Sequence, residues 1–317
     1  MQINQHAKAK HISKCLELAI LLEASANKPG NVNRIAGFER TRYEHFLASA
    51  VAVASSFECA ALRGVLVSQG EIHVSDVGLG QIIKNSVVNV NAWQRGGNTL
   101  LGTAILLLPI ATAAGMTPAK DNVFKPSKIR KNVKLVVEST TPEDAINVYE
   151  AVKNADPGGL GKVSEFDIND PDSINKIRKG KISLHQIFKI ASKYDTICSE
   201  WVDNYPITFD VAYPFLMEQT RQTDELNAAI IHTFLKVLAE CPDTLIARKT
   251  SLEKALEVSF RATEILKSGG LETSNGKKNL REFDQELRKV GNLLNPGTTA
   301  DIIAAALALT VLSGYRP

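Results

Sequence analysis

Apolar residues recur every three or four positions along most of this 317-residue chain, and this spacing predicts α-helices. In residues 7–24 the pattern is carried by Ile12, Cys15, Leu16, Ala19 and Leu22, with Glu23 on the same face. The same period continues through residues 43–63, 77–92, 223–239 and 251–267. Helices therefore account for most of the predicted structure.

Start and stop signals divide the rest of the chain. Thr140-Thr141-Pro142-Glu143-Asp144 puts a hydroxyl cap before proline and first-turn acids, so a helix should run to about residue 154. A short helix should open at residues 170–173, and Ser183 should cap a long one that continues through Ile197. A last helix is predicted from Thr299 to Leu312.

Residues 99–119, TLLGTAILLLPIATAAGMTPA, carry no charge and are long enough to span a bilayer. Gly102, Pro109, Gly115 and four threonines dilute the hydrophobicity of the segment. We therefore interpret it as a buried central helix of a soluble protein and expect no membrane association. Residues 133–137, VKLVV, could form a strand or begin a helix. The predicted fold is all-α: one domain, residues 1–317, with ten or more helices around the central one.

The net charge is +3 and the basic residues are scattered along the chain, so there is no reason to expect nucleic-acid binding. The one basic cluster, residues 125–131, is expected to be a solvated loop or helix start. Four cysteines show no metal-ligand spacing and are expected to be reduced, which favours a cytoplasmic location. The polar N-terminus lacks the apolar region of a secretory signal.

Four polar islands interrupt the apolar helices, at residues 23–34, 94–102, 243–249 and 295–301. Three of them place a glycine-bearing turn next to a helix, where free N–H groups favour anions. Nearby Lys and Arg could complete a phosphate site, and Glu23 and Asp301 could hold Mg²⁺. Each island could also be an ordinary turn that connects two helices. The chain contains no P-loop, GxGxxG, HExxH or GxSxG motif.

In order and spacing, the islands resemble the motifs of the triphosphoribosyl-dephospho-CoA synthase family, and more closely its archaeal-type branch. The shared elements are Glu23 with Lys28-Pro29-Gly30-Asn31-Val32-Asn33-Arg34, Gly96-Gly97-Asn98-Thr99-Leu100-Leu101-Gly102, Asp243-Thr244 with Arg248, and Pro296-Gly297-Thr298-Thr299-Ala300-Asp301. The resemblance extends over nearly the whole chain and implies an all-α fold.

The resemblance also implies a reaction in which ATP loses adenine and its triphosphoribosyl group moves to the 2′-hydroxyl of 3′-dephospho-CoA. It implies Mg²⁺, a base for the hydroxyl and a proton donor for the purine. We assign Glu23 and Asp301 as candidates for catalysis and metal binding. The candidate substrate-binding residues are Lys28, Gly30, Asn31, Asn33, Arg34, Gly97, Asn98, Thr99, Arg248 and Thr299, with Lys28, Arg34 and Arg248 on phosphates.

Leu100 and Leu101 stand where the bacterial synthases have a His-Lys pair, and Asn33 stands where they usually have Asp. These departures leave the acceptor open, and a pterin-type one-carbon carrier in coenzyme biosynthesis is an alternative to dephospho-CoA. A non-catalytic nucleotide-binding protein and a hydrolytic N-glycosidase are further alternatives. A homodimer formed through apolar helix faces is possible, although a large core would explain those faces equally well.

Overall fold

The computed structural model of the chain describes residues 5–223 and 225–317, and within these residues it contains helices and no strand. The prediction of an all-α fold is confirmed. The α-helices of this part are α1 (Gln5–Ser25), α2 (Tyr43–Ser68), α3 (Leu79–Trp93), α4 (Leu101–Met116), α5 (Pro126–Glu138), α6 (Pro142–Ala155), α7 (Ser173–Gly180), α8 (Leu184–Ala191), α9 (Thr196–Val202), α10 (Tyr213–Gln222), α11 (Leu226–Glu240), α12 (Thr244–Lys249), α13 (Leu252–Lys267), α14 (Ser274–Arg288) and α15 (Gly297–Leu312). The described part of the chain also contains a 3₁₀ turn at Val74–Val77 and a π-helix at Ile207–Ala212.

Helices α4 and α15 form the centre of the molecule, and almost every residue of both is buried. They pack against each other, with α1 and α2 on the outside of the pair. Helices that are apolar on all sides are stable in water only when neighbours enclose them, and that is their situation here. The predicted central helix is confirmed, and it has an equally buried companion. Both helices begin at the same end of the core.

Two glycines let α2 and α4 pack with their backbones almost touching. A Cβ atom on Gly64 of α2 would overlap the carbonyl oxygen of Thr112, and one on Gly115 of α4 would overlap the carbonyl oxygen of Ala61. Small residues at such crossings allow backbones to approach more closely than ordinary side chains do.

Helix α2 is the one helix in the described part of the chain that is long and apolar enough to cross a membrane. Half of its most apolar 18-residue window is buried in the protein. Core helices of soluble proteins pass the same test of length and composition, so the property by itself is weak evidence for a membrane span.

The prediction of one long helix after Ser183 is wrong, because this segment forms two helices, α8 and α9. Asp195 lies at the break and accepts hydrogen bonds from the backbone N–H groups of Ile197 at 2.8 Å and Cys198 at 3.3 Å. An aspartate that caps a new helix in this way competes with continuation of the old one. Residues 133–137 belong to α5, so the helical alternative is the right one. The single-domain assignment stays a prediction.

Replacing Gly64 by Ala should lower the free energy of unfolding by about 1–3 kcal/mol, because the added Cβ would push α2 away from α4. Chemical denaturation measures this change. Gly161→Ala is the matched control, since a Cβ at that position meets nothing within 4 Å. Equal stability of the two variants would contradict the close helix crossing.

Candidate active site

The four polar islands converge on one cavity of about 240 Å³ at the end of the core where α4 and α15 begin. Its polar lining residues are Glu23, Asn31, Asn98, Thr99, Thr103, Asp195, Arg248, Asn295, Thr298 and Asp301. Its apolar lining is provided mainly by Phe46, Leu101, Ile105, Val148, Val152, Pro157, Leu160, Phe188, Ile197, Cys198 and Leu245. The lining side chains of α6 and α8 are apolar, α1 and α15 contribute the acids Glu23 and Asp301, and α4, α12 and α9 with its cap residue Asp195 contribute both kinds. We call the part lined by α1 and α15 the polar side and the part lined by α6 and α8 the apolar side.

Glu23 reaches the cavity from the last turn of α1 and forms a buried ion pair with Lys28. Lys28 Nζ lies 3.0 Å from Glu23 Oε1 and donates to the carbonyl oxygens of Glu23 and of Ala26, the latter at 3.3 Å. Lys28 is completely buried, and these three partners match the three N–H groups of an ammonium. Burial raises the pKa of Glu23, and the charge of Lys28 opposes that rise.

Asp301 faces the same cavity from the second turn of α15. Its Oδ1 accepts a hydrogen bond from Thr103 Oγ1 at 2.5 Å, and a Cβ on Gly102 would overlap its Oδ2. Gly102 therefore gives the carboxylate room against the start of α4, which explains a glycine at this place in the second island. Burial raises the pKa of Asp301 to about 7, and the negative charges of Glu23 and Asp243 contribute to the rise. Such a carboxyl can give or take a proton near neutral pH.

The Pro-Gly turn after Lys28 is held from outside by α14, a helix the sequence analysis missed. Asp284 Oδ1 accepts from Gly30 N at 2.8 Å, and Arg288 donates to the carbonyl oxygen of Asn31 at 2.6 Å. Within the cavity, Asn31 Nδ2 donates to Asn295 Oδ1 at 2.8 Å. The turn thus joins the first and fourth islands, and Gly30 supplies backbone shape rather than cavity lining.

Asn33 and Arg34 do not line the cavity. The side-chain oxygen of Asn33 accepts from the backbone N–H groups of Ile35 and Ala36, both at 3.0 Å, so this buried amide shapes the turn. Arg34 is exposed. The prediction that they bind substrate stays a prediction. The same holds for Lys28, whose ammonium contacts Glu23 and the carbonyl groups at the end of α1.

In the second island, Asn98 and Thr99 line the cavity and Gly97 does not. Asn98 Oδ1 accepts from Leu101 N at 3.1 Å, and within residues 5–223 and 225–317 its side-chain amino group makes no hydrogen bond. Thr99 Oγ1 lies 2.7 Å from Ser49 Oγ on α2. Gly97 adopts a φ of 77°, a conformation that favours glycine and turns the chain into α4.

Asp243 joins the third and fourth islands from beneath the cavity. Its Oδ1 accepts from Leu245 N at 2.9 Å and Ile246 N at 3.1 Å, and its Oδ2 accepts from the N and Oγ1 of Thr299, both at 2.8 Å. One buried carboxylate thus caps α12 and holds the first turn of α15. Thr299 donates to Asp243 and does not line the cavity, whereas Arg248 on α12 does line it.

The sequence analysis missed Asp195 and Thr103. Asp195 lines the cavity and forms an ion pair with Arg248, and Thr103 holds Asp301. An Asp before a possible helix start was a visible sign at residue 195, but the apolar period across residues 184–197 concealed it. For Thr103, no signal separates it from the other threonines of the central helix.

The donor set at the polar side suits Mg²⁺. The described residues include no group of three or more His, Cys, Asp or Glu that could hold a metal ion. They do place Glu23 and Asp301 on one cavity, close enough that the charge of Glu23 raises the pKa of Asp301. Mg²⁺ is commonly held by one or two carboxylates together with substrate phosphates, and it would relieve this repulsion.

Fold and site together define an all-α protein with a buried, carboxylate-lined cavity at the entry of its central helices. The chain belongs to the ATP:dephospho-CoA triphosphoribosyl transferase family, whose model matches residues 9–317. The family resemblance predicted from the four islands is therefore confirmed.

Two curated relatives support the same grouping over a shorter stretch. The chain is 30% identical over 100 residues to a 2-(5''-triphosphoribosyl)-3'-dephosphocoenzyme-A synthase from Escherichia fergusonii, covering 32% of each chain. It is 30% identical over 99 residues to the protein of that name from Klebsiella pneumoniae, covering 31% of this chain and 32% of the relative. The match thus spans about a third of each relative's length.

A solved structure from Archaeoglobus fulgidus, described provisionally as that of a triphosphoribosyl-dephospho-CoA synthase, has a similar fold. The TM-score is 0.60 at 22% sequence identity, over 85% of this chain and 100% of the other. At this identity the likeness establishes the fold alone.

Replacing Lys28 by Met should cost about 3–5 kcal/mol at pH 8, because Glu23 would remain buried without its partner. Loss of Lys28 also removes the charge that lowers the pKa of Glu23. The folded-state pKa of Glu23 then rises further above its unfolded value, so the variant loses stability as pH increases from 5 to 8. Chemical denaturation at both pH values measures this.

The double variant Glu23→Gln, Lys28→Met is the control for the buried charge. It should recover much of the stability that Lys28→Met loses at pH 8, since no ionised group is then left without a partner. A cost that is the same at pH 5 and pH 8, and unchanged in the double variant, would contradict the buried ion pair.

Proposed function

We propose that the protein transfers the triphosphoribosyl group of ATP to the 2′-hydroxyl of 3′-dephospho-CoA with release of adenine. The observation that carries this proposal is the cavity in which Glu23, Asp301 and Arg248 meet. In the reaction, the bond between the anomeric carbon and the purine nitrogen breaks. A new bond forms from that carbon to the acceptor oxygen.

Displacement at an anomeric carbon passes through an oxocarbenium-like state, which nearby carboxylates stabilise. It also needs a group that removes the proton of the acceptor hydroxyl and one that protonates the leaving purine. Glu23 and Asp301 are the candidates, and the pKa of about 7 for Asp301 suits proton transfer in either direction. Asn31, Asn98 and Thr99 are proposed to bind ribose or phosphate oxygens.

The charge balance of the cavity supports a requirement for Mg²⁺. Glu23 is paired with Lys28 and Asp195 with Arg248, so Asp301 is the one charged lining residue in the described part of the chain without a cationic partner. A triphosphate would add further negative charge to a site where acids already outnumber bases. Mg²⁺ held by Glu23 and Asp301 would supply the compensating charge and stabilise the phosphate oxygens.

One observation favours a second acceptor. Leu101 lines the cavity, at a position where the resemblance leads one to expect the lysine of a His-Lys pair. An apolar side chain there cannot bind a phosphate, so an acceptor with a less charged end would fit this wall better. A pterin-type one-carbon carrier is the alternative acceptor that we retain.

Adenine release from ATP and Mg²⁺ should depend on 3′-dephospho-CoA, and Glu23→Gln should lower its rate by about 10²–10⁴-fold. Chromatography of adenine and of the coupled product measures both. Release without any acceptor would indicate an N-glycosidase. Binding of ATP by calorimetry without release would indicate another acceptor or a binding protein. Unchanged activity and metal dependence in Glu23→Gln would remove Glu23 from the mechanism.

Replacing Gly102 by Ala should lower kcat by at least about tenfold, because the new Cβ would displace the Asp301 carboxylate. The stability of the variant, measured by chemical denaturation, should fall by less than that of Gly64→Ala. A Cβ at residue 102 meets a side chain, and one at residue 64 meets backbone. Full activity in Gly102→Ala would show that Asp301 can move without consequence.

A further inference from the structure

Among the described residues, Arg248 is the one cation that lines the cavity, and three features of the fold restrain its position. Helix α12, which carries it, is capped by Asp243. Segment 156–172 passes over its stem, since a Cβ on Gly159 would lie 3.3 Å from Arg248 Cβ. Asp195 forms an ion pair with one terminal nitrogen of its guanidinium. Arginine side chains on a cavity wall are otherwise mobile, so this degree of restraint suggests a defined partner.

The guanidinium has binding capacity left over. Asp195 contacts one terminal nitrogen, and among the described residues the buried Nε has no hydrogen-bond acceptor. The Arg248 side chain is 26% exposed and lines the cavity, so an occupant of the cavity can reach the terminal nitrogen that Asp195 does not contact. A phosphate oxygen matches the geometry and charge of a guanidinium edge.

Arg248 also has a competing partner, because Asp301 attracts it across the cavity. If the guanidinium closed onto Asp301, the cavity would lose its cation and a catalytic carboxylate at once. Asp195 stands beside Arg248 at the N-terminus of α9, and its other oxygen is fixed by the N–H groups of Ile197 and Cys198. It is therefore an anchored carboxylate that can hold the guanidinium apart from Asp301.

We infer that Asp195 is a positioning residue: it holds the Arg248 guanidinium open toward the cavity to receive the phosphate chain of the nucleotide. The inference rests on the proposed function in taking the anion to be the triphosphate of ATP. Asp195 does not itself touch the reacting atoms. It acts through Arg248, and its effect is on binding of the triphosphate end.

The test is Asp195→Asn, with calorimetric binding of inorganic tripolyphosphate in the presence of Mg²⁺ and with steady-state kinetics for ATP. Asparagine caps helices about as well as aspartate, so α9 should remain folded and the Tm unchanged. Loss of one charge-assisted contact that orients Arg248 should weaken tripolyphosphate binding about 10- to 100-fold. KM for ATP should rise by a similar factor, with kcat changed much less.

Asp210→Asn is the matched control, since it makes the same chemical change in an Arg–Asp pair away from the cavity. Arg130 donates to the two oxygens of Asp210 at 2.6 and 2.7 Å. This variant should leave tripolyphosphate binding unchanged. Asp195→Glu retains the charge and should recover part of the lost affinity. Asp195→Ala removes the cap as well, and it should lower the Tm.

Unchanged tripolyphosphate affinity in Asp195→Asn would overturn the inference. It would also be overturned if the wild-type protein bound no tripolyphosphate. A third contrary result would be a Tm of Asp195→Asn as low as that of Asp195→Ala, together with no recovery of tripolyphosphate binding in Asp195→Glu. The proposed function fails separately, by absence of acceptor-dependent adenine release. If tripolyphosphate binding depends on Asp195 while that release is absent, the anion site stands and the transfer reaction does not.

Discussion

The geometry of the cavity depends on the buried carboxylate of Asp243 more than on any other single group. It accepts hydrogen bonds from two N–H groups of α12 and from the N and Oγ1 of Thr299 in α15. Arg248 and Asp301 follow within a few residues on these two helices, so this junction connects the helix that carries the cation to the helix that carries the Asp301 carboxylate. Four hydrogen bonds to one carboxylate also offset the cost of burying it.

Glu23 and Asp301 have fewer hydrogen-bond partners than Asp243, although burial raises the pKa of all three carboxyl groups. Glu23 has a lysine beside it, yet burial still raises its pKa. Asp301 has one donor, Thr103, and faces the charge of Glu23. Groups that are desolvated and repelled in this way cost folding stability, and they are common where proton transfer or metal binding takes place. Asp243 thus joins α12 to α15, whereas Glu23 and Asp301 are the carboxylates that we propose to take part in the reaction.

The sequence was sufficient for the helical class and the buried central helix, because these follow from the local period of apolar residues. It was insufficient for contacts that form only through the fold, including the meeting of the four polar islands at one cavity. The contact of the Lys28 ammonium with Glu23 and two carbonyl groups is one example. Asp195 carries a helix-cap signal, but neither it nor Thr103 could be recognised as a site residue, because their partners are 53 and 198 positions away in the chain.

The division of the cavity into two sides limits how a nucleotide can lie in it. Triphosphate and ribose carry charge and hydroxyl groups, which are costly to place against Val148, Val152, Phe188 and other apolar side chains. The purine is the uncharged part of ATP, so placing it against these apolar side chains costs the least free energy of desolvation. In the proposed reaction the anomeric carbon would then lie at the boundary between the two sides, within reach of the carboxylates. Transfer in preference to hydrolysis would require the bound acceptor to keep water from that carbon, because the acceptor hydroxyl and water compete for it.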